Sequence, residues 1–148
     1  MDKTYEINKY TIALIPIGSD ETKVIEEDRV FIIPKKSTDI INDSCKYFGS
    51  SFEGRKEGTK TLLGVSYKAP IIIEETKSII FFPTSSPRFD NCTWISLNHI
   101  NDYINDGGSG LLKFKNGTTI ELNMSYGSLE NQVMRATRLE SVLRKRKI

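Results

Sequence analysis

Cys45, Cys92 and the single histidine, His99, are the residues of this 148-residue sequence whose types most readily suggest chemistry. A structural zinc site takes four ligands. Here there are three candidates, no Cys-x-x-Cys, and only Cys92 and His99 lie close in sequence. Thiol catalysis needs a cysteine activated by a neighbouring base, and no nucleophile elbow or local signature accompanies either cysteine. Adjacent carboxylates, Glu26-Glu27 and Glu74-Glu75, fall on strand or turn positions and read as solvated faces. Gly107-Gly108-Ser109-Gly110 has no following Lys-Ser/Thr and opens no helix, so it is not a phosphate loop. The expectation is two buried thiols, no metal, no cofactor and no enzyme site. A thiol or zinc enzyme, as the rival, would have to use Cys45, Cys92 and His99.

The cations are more informative. The net charge is only +2, but it is unevenly spread. Residues 45–68 carry net +3 and residues 128–148 net +4, on a chain that is otherwise slightly acidic. Two basic blocks are a footprint for a polyanion, or simply aid solubility. In the first block Arg55, Lys56 and Lys60 sit among Gly54 and Gly58. Small residues permit close backbone approach, and arginine is drawn into narrow A-tract minor grooves. In the second block Arg135 and Arg138 recur with Asn131 and Lys145 on one helical face. These residues are the first candidates for DNA contact, with Lys46 and Arg88 behind them. Gly54 and Gly58 would shape the loop. The alternative is a protein-interaction regulatory module that does not touch DNA.

These side chains must be positioned by recognisable elements. Period-two apolar patterns predict strands over 5–17, 23–33, 61–67, 71–74, 79–82, 92–97 and 111–123. The charged stretch Glu26 to Arg29 is a candidate hairpin turn. The β-branched runs at 71–74 and 79–82 predict two-sided burial. Ile41, Cys45 and Phe48 share a helical face, predicting a helix over 38–48 with Ser37 or Thr38 as N-cap. Three glycines in ten residues predict a loop or a short helical turn at 49–59 that presents Arg55 and Lys56. Residues 99–104 read as a short helical turn or a strand, and residues 106–110 as a flexible turn. Asn116-Gly117 predicts a type I′ hairpin. A C-terminal helix over 128–146, capped by Ser128, carries the stripe Leu129, Val133, Ala136, Leu139 and Leu143, which faces either the core or a dimer partner. The fold class expected is α+β: a single domain, residues 1–148, with an antiparallel, partly barrel-like sheet, a mid-chain helix and a C-terminal amphipathic helix.

Bulk properties agree. The length is enough for a core without staples, no run approaches a membrane span, and Met1 to Tyr10 does not read as a signal peptide. A cytoplasmic, nucleoid-associated location is expected, with no membrane partner.

The stretch Ser44 to Thr59, SCKYFGSSFEGRKEGT, resembles the signature of the ComK family of competence transcription factors. Further motifs follow in order: Pro70-Ile71-Ile72, Phe82-Pro83-Thr84, Cys92-Thr93-Trp94-Ile95-Ser96, Phe114-Lys115-Asn116-Gly117, Ser125-Tyr126, and Glu130-Asn131-Gln132-Val133 with Arg135. The resemblance implies an activator of DNA-uptake genes that binds paired A/T-rich boxes in double-stranded DNA, largely through the minor groove, and bends it. It implies a homo-dimer or tetramer, and RNA polymerase as a partner. It also implies a Clp-protease adaptor that recognises a longer C-terminal tail. This sequence ends at Ile148, either as a short form or as part of a longer chain, and the adaptor contact is expected only where that tail is present.

Overall fold

The computed structural model describes residues 4–146. Six strands form one antiparallel sheet: β1 (Thr11–Ile17), β2 (Glu21–Glu26), β3 (Val30–Ile33), β4 (Ile71–Glu74), β5 (Ile79–Pro83) and β6 (Trp94–Ser96), in the order β3-β2-β1-β6-β5-β4. Two helices, α1 (Ser37–Tyr47) and α2 (Phe52–Leu63), lie in sequence between β3 and β4. After β6 a 3-10 turn over Leu97–His99 redirects the chain into a second sheet. That sheet comprises β7 (Ile100–Asp106), β8 (Ser109–Phe114) and β9 (Thr119–Ser125), and it leads into α3 (Tyr126–Arg146). The class is α+β, as expected, but the sheet is not closed. The turn after β6 breaks the ladder, so strands 100–125 pair only among themselves, and β3 and β4 remain edges of the larger sheet.

The β-branched runs do divide their side chains between two cores. Ile71, Ile73, Phe81 and Trp94 pack with Ile40, Ile41 and Cys45 of α1 on one face. Ile72, Ile80, Phe82 and Ile95 pack on the other face with Leu112, Phe114 and Leu122 of the second sheet and Leu129, Val133, Ala136 and Leu139 of α3. The apolar stripe of α3 therefore lies in its own chain's core, with Leu143 partly buried at its end.

The largest departure concerns residues 49–67. In place of the loop or short helical turn expected at 49–59 and the strand expected at 61–67 there is one long helix. Residues 52–63 are α2, and Gly64 ends it in the left-handed conformation (φ 73°). Each helical glycine costs about 1 kcal/mol relative to alanine, yet packing outweighs propensity here. Ser51 caps the helix, its Oγ accepting the Gly54 N–H at 2.9 Å. Phe52 packs on one core, Leu62 and Leu63 pack on the other, and the buried Thr59 hydroxyl donates to the Pro70 carbonyl. The helix thus runs along edge strand β4 and covers it, a common protection for an edge. Gly54 and Gly58 shape no loop; both lie exposed within this helix.

Smaller corrections have equally local causes. The first strand starts at Thr11, because the backbone N–H of Ile7 is taken by Ser44 Oγ rather than by a strand partner. Ser37 and Thr38 do not cap α1. Ser37 Oγ donates to the Cys92 carbonyl and Thr38 Oγ1 accepts from Trp94 Nε1, so both tie α1 to the segment around β6. The type I′ turn is at Gly107-Gly108 (φ 61° and 98°), which joins β7 to β8. At Asn116-Gly117 only the glycine has positive φ, and the Gly117 N–H closes on the Phe114 carbonyl at 2.9 Å, as in a three-residue loop with a glycine bulge. The cap of α3 is Ser125, whose Oγ accepts the Ser128 N–H.

Glu26 is a buried charge with a full set of partners. Burial opposes its ionisation. Hydrogen bonds from Arg29 Nε (2.7 Å), the Tyr5 hydroxyl and Asn8 Nδ2 outweigh that and hold its carboxyl below the ordinary range. A lowered folded-state pKa contributes stability that is present above the unfolded value, about 4.5, and is lost as pH falls through the folded one. Unfolding midpoints measured from pH 6 to pH 3 are expected to fall below about pH 4.5 in the wild type. In Glu26→Gln the decline is expected to be shallower; equal slopes would remove Glu26 from this role.

Candidate nucleic-acid interface

The cations of the first basic block do not all point one way. Arg55 turns toward the β4–β5 turn, where its Nη1 pairs with Glu75 Oε1 at 2.9 Å, and the side chain is only 17% exposed. It fastens α2 to the sheet edge. Lys56 lies on another side of the helix, and the exposed Lys60, four residues on, continues that side. Lys46 is exposed at the C-terminal end of α1, next to the exposed edge-to-face pair Tyr47 and Phe48.

Lys56 opens onto a cavity of about 360 Å³ between α2, the segment 66–69 and the loop 86–88. Lys68 and Arg88 line the same cavity, against one acid, Glu53. Two exposed aromatics stand beside these cations. Tyr67 is 67% exposed, with Lys68 Nζ 6.0 Å from its ring centre, and Phe89 is 54% exposed, with the Arg88 guanidinium 5.1 Å from its ring. The structure therefore unites Lys56 and Arg88 with Lys68 and Tyr67, which the sequence reading did not single out. Lys68 belongs to the first basic block, but its φ of 52° has no sequence signature.

The groove has a built frame. Buried Gln132 of α3 donates from Nε2 to the Lys68 carbonyl at 3.0 Å and to the Pro83 carbonyl at 2.7 Å. Arg135 Nη1 donates to the Tyr67 carbonyl at 3.1 Å and to Gln132 Oε1 at 3.2 Å. Arg135 is thus half-buried and engaged within the chain, whereas Arg138 is exposed on α3. The opposite wall is pinned by the first turn of α1: Thr38 Oγ1 to the Pro87 carbonyl at 3.3 Å, and Lys36 to Asp90 at 3.2 Å. A left-handed lysine costs on the order of 1 kcal/mol, and such strain collects at functional positions. Lys68→Gly relieves the strain and removes the cation. It is expected to leave stability within about 1 kcal/mol of wild type while lowering affinity for a polyanion, read by thermal unfolding beside a binding titration.

The residues first weighed for chemistry lie elsewhere. Cys45 and Cys92 are free and buried, and burial pushes both thiols up to about 11. Neither is expected to react with a thiol reagent at pH 8 until the chain unfolds; rapid labelling of the native protein would contradict this. His99 ties loops together, with Nδ1 3.0 Å from Ser96 Oγ and Nε2 3.2 Å from Glu27 Oε1. Among the described residues no three His, Cys, Asp or Glu side chains gather to hold a metal ion. Among them too, no helix is long and apolar enough to cross a membrane.

A framed basic groove flanked by exposed aromatics has the chemistry of a nucleic-acid interface. Residues 2–147 match the family model described as ComK protein, and the chain belongs to the ComK family. A curated relative is the competence transcription factor of Bacillus subtilis (strain 168). It is 39% identical over 143 residues, which span 94% of this chain and 74% of that relative. No solved structure matches the chain.

Proposed function

We propose that this protein regulates transcription of competence genes by binding A/T-rich duplex DNA with the groove between α2, segment 66–69 and loop 86–88. The convergence of Lys56, Lys68 and Arg88 on one cavity carries the proposal. Lys56 and Lys68 neutralise phosphates, and Lys60 extends the same side of α2. Arg88, on an exposed loop tip beside Phe89, is the cation with the reach to enter a minor groove. A narrow A-tract groove focuses negative potential, so arginine there reads width rather than base identity. Arg55 and Arg135 position the walls, while Arg138 and Lys46 lie outside the cavity as peripheral phosphate contacts. One such module discriminates weakly, and a symmetric oligomer on paired boxes multiplies the discrimination. Recruitment of RNA polymerase would follow from a surface left free on bound DNA.

Fluorescence anisotropy on two duplexes of equal length tests this reading. One duplex carries paired A-tracts a helical turn apart and the other is G·C-rich. Tighter binding to the A-tract duplex, weakening steeply with added salt, is the expected result. Equal binding to both duplexes would overturn the A/T preference. Absence of salt-sensitive binding to either would favour a module that acts through protein contacts alone.

A further inference from the structure

Among the described residues the second sheet edge, β3, is uncovered, unlike β4. Its outer side has no strand partner among the described residues. Its four residues, Val30-Phe31-Ile32-Ile33, include no charge, and Val30 and Ile32 are 59% and 42% exposed. An apolar edge without a charge, bulge or cover is a template for another strand. The phase of its free backbone groups follows from the hairpin. The Glu26 N–H donates to the Arg29 carbonyl at 2.9 Å, so Arg29, Phe31 and Ile33 direct their main-chain groups toward β2. Val30 and Ile32 direct theirs outward.

We infer that β3 pairs antiparallel with β3 of a second copy of this chain, centred on Phe31, joining two six-stranded sheets into one. This refines the self-association proposed above and requires no DNA. Three observations select this occupant and this register. Pairing about a two-fold axis keeps each face with its counterpart, so Phe31 meets the partner's Phe31 and Val30 meets the partner's Ile32. In that register the outward groups of Val30 and Ile32 bond reciprocally, and all of the free donors and acceptors of those two residues are used. A register two residues further along would set Val30 against Pro34, which has no N–H to give.

Charge is compatible with this register: the Glu27-Asp28 bend of one copy lies toward Lys35 and Lys36 of the other, although Glu27, Lys35 and Lys36 already pair within the chain with His99, Asp43 and Asp90. Finally, the exposed face of Val30 continues into a groove lined by Ile15 and Ile120 together with Lys23, Glu27, Asp28 and Arg29. The surface available to a partner therefore exceeds the four-residue strand and is polar as well as apolar.

Sedimentation equilibrium of the DNA-free full chain tests the inference, with cross-linking to fix the register. Wild type is expected to be dimeric in the micromolar range. Ile32→Pro removes an outward donor and no internal ladder bond, and is expected to halve the mass while leaving the far-UV circular dichroism of the folded chain unchanged, its unfolding midpoint falling only by the share that dimerisation contributes. Val30→Lys/Ile32→Lys is expected to do the same and serves if the proline variant folds poorly. The paired residues Val30 and Ile32 have Cα atoms about 5.5 Å apart in such a ladder, within disulfide range. Under oxidation, mixed Val30→Cys and Ile32→Cys chains should cross-link, and neither variant alone should. A monomeric wild type, a dimer that persists in the folded double-lysine variant, or cross-links in the single-variant samples would overturn the proposal. Dimers that form without binding DNA would support the interface and count only against the groove.

Discussion

Lys56→Ala/Lys68→Ala/Arg88→Ala is expected to bind an A-tract duplex on the order of a hundredfold more weakly than wild type near 0.1 M salt. Each cation that neutralises a phosphate releases a condensed counterion and contributes about 0.9 to the slope of log affinity against log salt. Removing three should flatten that slope by about 2.7, and the loss should shrink as salt rises. None of the three makes an ion pair within the chain among the described residues. Their removal should therefore leave the unfolding midpoint nearly unchanged, as for most surface substitutions. Anisotropy titrations at several salt concentrations, with circular dichroism as the folding control, read both effects. An unchanged slope would place the phosphate contacts elsewhere on the molecule.

Gln132→Leu is expected to destabilise the protein by about 1–3 kcal/mol, because the buried Pro83 carbonyl loses its donor, an unsatisfied buried group costing about that much, and the part-buried Lys68 carbonyl loses a partner as well. Lys68 and Pro83 supply those carbonyls, and Gln132 is 2% exposed, so water has little access to replace the amide. The substituted side chain has nearly the same volume, which separates lost hydrogen bonding from a cavity. The wall of the groove should loosen too. DNA affinity measured well below the unfolding midpoint should fall, although Gln132 itself reaches no ligand. Chemical denaturation would show the loss as a lower midpoint at similar slope. A change below about 0.5 kcal/mol would mean that the two carbonyls find other donors.

Much of this architecture was legible in the chain. The two-sided strands announced themselves through unbroken β-branched runs, and the α3 stripe through its spacing. What failed were segments decided by distant partners. Helix α2 contains two glycines and reads as a loop or a short helical turn, yet its contacts with both cores and with β4 make it a long helix. Asn-Gly is the stronger type I′ dipeptide, but the turn geometry went to Gly107-Gly108, where both central residues take positive φ without steric penalty.

The candidate site was half legible for the same reason. Charge counting found the basic block, and it includes Lys56 and Lys68. It gave no sign that Arg55 would close on Glu75, twenty residues later, or that Arg135 would hold the Tyr67 carbonyl, 68 residues earlier. The run Glu130-Asn131-Gln132-Val133 with Arg135 matched a family motif, and the structure supplies a physical role for two of its residues, Gln132 and Arg135. They brace the groove wall from behind. The loop that carries Arg88 has no periodic pattern to place it; Thr38 and Lys36, at the start of α1, bring it to the cavity.

Lysine footprinting in the presence and absence of an A-tract duplex tests the central claim most directly. Acetylation of native chains, quantified by mass spectrometry, reports each lysine's access. Bound DNA is predicted to protect Lys56 and Lys68, with partial protection at Lys60. The exposed Lys113 and Lys115 of the three-stranded sheet and its following turn should remain reactive. Protection of Lys113 and Lys115, with Lys56 and Lys68 still fully modified, would contradict the groove as the DNA-binding surface.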